Sequence, residues 1–136
     1  MDIQLIVVDE ITHKVSLAMS PRPVKGLTKL IQLVVLSLLN IPGKDILDPD
    51  RGGGIPEMIG MNFDPNDLGE ILSEVTRRVK QTEADILKDQ IGLQLDLSER
   101  LKELKIANVG PGESMDEVNV RIRVINELGQ QSDVVI

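Results

Sequence analysis

Residues 41–59, IPGKDILDPDRGGGIPEMI, place three prolines and a triple glycine directly behind a very apolar helical run. No regular element passes through such a stretch, because proline fixes φ and removes a backbone donor. Glycine is selected where a chain bends sharply or comes close to another backbone. Gly52, Gly53 and Gly54, following the Asp48-Pro49-Asp50 turn, therefore imply a loop of definite shape. The chain leaves it through Asn62-Phe63-Asp64-Pro65-Asn66-Asp67 into a long amphipathic helix. The residues around this loop point to assembly rather than to chemistry.

The apolar helix spans Val24 to Asn40, with Leu27, Leu30, Ile31, Val34, Val35 and Leu38 spread nearly all round it. Such a helix must be covered on most sides. Gly26 weakens its first turn, and Pro42-Gly43 ends it. The second helix opens at Asp64, which can cap free N–H groups, with Pro65 at the first helical position and Asp67 near the positive dipole end. Leu68, Leu72, Val75, Val79, Thr82 and Ile86 recur at heptad spacing, and Ile71 widens the seam. Glu74 and Arg78 stand one turn apart on the polar face. Continued to Ile91, this helix is about 40 Å long at ~1.5 Å per residue.

The rest reads as strand. Residues 2–8 and 14–19, with a polar turn between them, form an N-terminal β-hairpin, and Pro21 and Pro23 follow it. Leu101–Val109 is a strand closed by Gly110-Pro111-Gly112. Residues 117–126 alternate strictly, Val118, Val120, Ile122 and Val124 against Asn119, Arg121 and Arg123. A turn at 127–130 leads into a last strand, Asp133–Ile136. The expectation is a single α+β domain over 1–136: an N-terminal β-hairpin (1–23), two main helices (24–97) and a small antiparallel C-terminal sheet (98–136).

At 136 residues the chain can bury a core without staples. The absence of cysteine removes disulfides, thiolate zinc sites and a cysteine nucleophile. The net charge is −7, and the 15 Lys and Arg are scattered, so nucleic acid is not expected as a partner. Phe63 is the lone aromatic residue, which argues against stacking sites for sugars or bases. The apolar run between Lys29 and Lys44 is shorter than the roughly 20 residues of a membrane span, and the N-terminus lacks signal-peptide features. A soluble protein made in a reducing compartment, without membrane contact, is expected.

No constellation demands chemistry. Gly43-Lys44 is followed by Asp45 and lacks the glycine spacing of a phosphate loop. Asp48-Pro49-Asp50 fails as a calcium loop because the twelfth position is Ile59. His13, the single histidine, reads as a solvated turn residue rather than a ligand. Glu57, Asp64 and Glu70 are carboxylates among 22 acidic residues, with no sign that any is desolvated. No catalytic residue, metal or cofactor is expected. The heptad seam has two readings: it covers the domain's own core, or its distal half meets partner helices. The terminal strand is similarly either a covered edge or a site for strand addition.

In order, these pieces resemble the baseplate wedge subunit family of contractile-tailed phages, often labelled lysozyme-like, with relatives in type VI secretion baseplates. The resemblance rests on the helix ending at Pro42-Gly43, Asp48-Pro49-Asp50-Arg51-Gly52-Gly53-Gly54-Ile55, Phe63-Asp64-Pro65-Asn66-Asp67, and Glu99-Arg100 in SERLKELKI, which stands at the family's Glu-Pro-Arg motif without its proline. It covers about residues 24–136. The resemblance implies a structural virion protein, made in the host cytoplasm, that binds the helices of other wedge subunits and templates the first sheath ring by strand addition. Tube and hub proteins are further implied neighbours. Implied partner-binding residues are Glu99 and Arg100, the seam residues Leu68, Leu72, Val75 and Val79, and the strand Asp133, Val134, Val135 and Ile136. The alternatives are a peptidoglycan-degrading enzyme, prompted by the family label, and an unrelated soluble adaptor.

Overall fold

The alternating stretch at 118–126 is the centre of the sheet, as its pattern requires: one face carries Val120, Ile122 and Val124, all buried. A computed structural model describes residues 2–9, 11–18, 22–40, 53–54, 68–111 and 118–136. In it the elements run β1 (Asp2–Ile3), β2 (Ile6–Val8), β3 (Val15–Leu17), β4 (Pro23–Val24), α1 (Gly26–Leu39), α2 (Leu68–Gln90), a 3-10 turn (Leu97–Glu99), β5 (Leu101–Pro111), β6 (Val118–Asn126) and β7 (Gln131–Val135). The fold is α+β, with an N-terminal antiparallel hairpin, two helices and a three-stranded antiparallel sheet ordered β5-β6-β7.

Both helices lie on the inner face of that sheet, α2 against β5 and α1 against β6 and β7. Between the layers pack Leu30, Val34, Val35 and Leu38 of α1, Val75, Val79 and Ile86 of α2, and Leu101, Leu104, Ile122, Val124 and Val134 of the sheet. This aliphatic core is continuous, and each fully buried Leu, Ile or Val in it contributes about 1.5–3 kcal/mol. Leu33, Leu36 and Leu39 remain on the outer side of α1, each more than a third exposed, so this helix is covered less fully than its apolar character suggests.

The first strand does not run unbroken from 2 to 8. Asp2–Ile3 pairs with Pro23–Val24, whereas Ile6–Val8 pairs with Val15–Leu17. The break falls where the Leu5 N–H leaves the ladder for Oε1 of Gln32 on α1, 2.7 Å away. Pro23 is tolerated because β4 is half of a two-stranded ribbon and therefore an edge.

The glycine-rich loop does bring two backbones together. The Gly53 N–H donates to Ser37 O (2.9 Å) and the Gly54 N–H to Asn40 O (2.9 Å), satisfying carbonyls at the C-terminus of α1. Gly54 has φ 63, the left-handed region that glycine enters freely. Across the gap, Arg78 Nη1 donates to Gly53 O (3.1 Å) and Gly54 O (2.7 Å), while its Nε holds Glu74 Oε1 at 2.8 Å. Arg78 is therefore not on a polar face. Only 7% exposed, it clamps the loop between the helices, and Glu74 neutralises it. Gly52, Asp48-Pro49-Asp50, Glu57, Phe63 and the expected helix start at Asp64 lie outside the described residues.

A Cβ at Gly53 would meet Thr82 Oγ1 at 2.7 Å, Leu38 Cα at 2.9 Å and Leu38 O at 3.0 Å, so backbone must shift. At Gly92 (φ 82) a Cβ meets nothing within 4 Å. Gly53→Ala should therefore destabilise the domain by about 3 kcal/mol through overpacking, against about 1 kcal/mol for Gly92→Ala from φ alone. Urea denaturation of the two variants checks the difference; equal costs would mean that the close approach at Gly53 is not a constraint.

Candidate functional site

Glu99 and Arg100 sit where the helical layer meets the sheet, and their polar groups are engaged within the chain. Arg100 Nη1 donates to Gln90 O (3.1 Å) and Nη2 to Leu93 O (2.6 Å), so the guanidinium closes the C-terminal end of α2. A cation there meets carbonyls that lack intrahelical partners and the negative end of the helix dipole. Glu99 reaches back to Lys29 of α1 at 3.1 Å. Gln90, 4% exposed, donates Nε2 to Glu99 O (3.2 Å) and accepts the Leu101 N–H at Oε1 (2.9 Å). Asn126 is fully buried; its Nδ2 donates to Ser98 O (3.0 Å) and Gln130 Oε1 (2.9 Å), and its Oδ1 accepts the Gln130 N–H. The Glu127 N–H completes the junction on Arg100 O (3.0 Å). The role implied for Arg100, charged contact with a neighbouring subunit, is thus preceded by one inside the molecule.

The two outer edges of the sheet are treated differently. On β5, Glu83 Oε2 takes the Leu104 N–H (2.7 Å) and Gln90 the Leu101 N–H, so α2 covers that edge at its start. On β7, the reciprocal Val120–Ile136 bonds fix the alternation of the ladder. By that register Ser132, Val134 and Ile136 bond inward to β6, and Gln131, Asp133 and Val135 turn their N–H and C=O groups outward. Val135 is already taken: it forms a parallel bridge with Lys14, and its N–H donates to His13 O at 2.8 Å. This corrects the reading of Asp133–Ile136 as an open strand. Val134 is 1% exposed in the core, Ile136 is bonded to β6, and Val135 is sealed by the N-terminal hairpin. Among the described residues, none pairs with the outward groups of Gln131 and Asp133.

Asp133 carries its side chain on the outer face, where Arg123 Nε (2.9 Å) and Arg121 Nη1 (3.6 Å) hold it. The Arg123 hydrogen bond, with Arg121 adding to it, keeps this carboxyl below its ordinary value of 3.8.

The seam of α2 is also corrected. Its inward stripe is Ile71, Val75, Arg78, Val79, Thr82, Ile86 and Gln90, not Leu72, which is 44% exposed. Leu72 lies about 100° round the helix from Ile71. Val75 and Val79 are at most 1% exposed and face the chain's own core, which leaves them no surface for a partner. The side chain of Leu68 lies outside the described residues.

A feature not read from the sequence lies beside Arg100. Ile91 (77% exposed), Leu93 (51%), Leu97 (53%) and Leu128 (55%) belong to the three segments that the Arg100, Gln90 and Asn126 bonds join. The signal was present in GLQLDLSE, where leucines alternate with polar residues directly after a helix with no strand to bury them. Where exposed aliphatic groups form a contiguous patch, they mark interaction surfaces. Among the described residues no group of three His, Asp or Glu could hold a metal ion, and no helix is long and apolar enough to cross a membrane. No family model, curated protein or solved structure matches the chain.

Replacing Arg100 by Ala removes the donors to Gln90 O and Leu93 O and the cation at the end of α2, and should lower stability by about 2 kcal/mol. Denaturation midpoints of Arg100→Ala and Arg100→Lys measure this, lysine recovering part of the loss; an unchanged midpoint for alanine would refute the helix-end role. The Asp133 pair contributes stability that is complete above about pH 3.8 and is lost as pH falls through the depressed folded-state value. Acid titration of Asp133→Asn should show a flatter stability limb below that pH than the parent, and identical limbs would count against the pair.

Proposed function

We propose that this chain is a structural component of a contractile-tail baseplate, a wedge subunit that binds other wedge proteins and offers a sheet edge to the tail sheath. What supports the reading is that Ile91, Leu93, Leu97 and Leu128 are exposed aliphatic residues on the segments joined by the Arg100 and Asn126 bonds. Glu99-Arg100 stands where the family has its Glu-Pro-Arg motif, and the resemblance is carried by the order of several short motifs. A surface of this kind favours burial against another macromolecule rather than a small substrate.

The internal use of Arg100 fits this reading in a modified form. Its two bonds fix the loop that presents Leu93 and Leu97, and the other guanidinium N–H groups are left to meet a partner's carboxylate. The sheath contact falls on Gln131 and Asp133, the outward β7 positions that the hairpin does not reach. The acidic net charge and the single aromatic side chain are in keeping with an assembly protein.

Leu97→Asp combined with Leu128→Asp tests the reading. Both side chains are more than half exposed, so the variant should stay folded, within about 0.5 kcal/mol for each surface change. It should fail to co-purify with co-expressed wedge proteins from the same tail gene cluster, whereas the parent chain co-purifies. Retention of the double variant in those complexes, or genomic neighbours that include no sheath or tube gene, would overturn the proposal.

A further inference from the structure

We draw no further inference here: the strongest candidate, the exposed side chains of Leu33, Leu36 and Leu39 on the outer side of α1, is an apolar helix face, and nothing in the structure shows what covers it.

Discussion

The C-terminal turn of α2 is the point at which helices and sheet become one body, and a single long polar side chain makes the join. Gln90 lies at the end of the inward stripe, yet both ends of its amide are used: it donates to Glu99 O and accepts from Leu101 N–H. A leucine there would fill similar space but leave a buried strand amide unpaired, at a cost of about 1–3 kcal/mol. The same amide fixes where β5 begins, and Arg100, one residue earlier, closes the helix that carries Gln90. Asn126 repeats the device on β6, binding Ser98 O and the start of the β6–β7 turn. Aliphatic packing supplies most of the driving force, but it is indifferent to register; these amides are not.

What was legible in the sequence follows from the range of the forces involved. β6 declared itself because alternation is local, and α1 because its apolar run and its terminating Pro42-Gly43 are local. The need for glycine at 53 and 54 could also be read, since close approach and left-handed φ both favour a residue without a Cβ. Arg78 could not be placed, because the carbonyls that bury it belong to a loop 24 and 25 residues away in the chain. Leu72 was misplaced for a different reason. Counting by sevens keeps Leu72 in the seam, whereas a helix packed against its own β5 follows a 3.6-residue turn and selects Ile71. The sealing of Val135 by His13 joins opposite ends of the chain, and no local pattern encodes it.

The sheet shows how the fold treats its two edges as separate problems. Along β5 the remedy is permanent: Glu83 and Gln90 come from a helix packed on the core, and removing them means unfolding the domain. Along β7 the remedy is a turn with its own closed set of hydrogen bonds, attached through a carbonyl that the sterically costly φ of His13 aims at the sheet. A protein that required only solubility has cheaper solutions on that edge, such as a lysine or a proline.

The outward face of β7 adds a constraint on whatever pairs with it. Asp133 already receives Arg123 and Arg121 from the neighbouring strand, so its charge is neutralised inside the sheet and does not call for a basic residue on the incoming strand. The chain's net charge of −7 acts over longer range. An uncharged or weakly basic neighbour is therefore favoured along this edge over an acidic one.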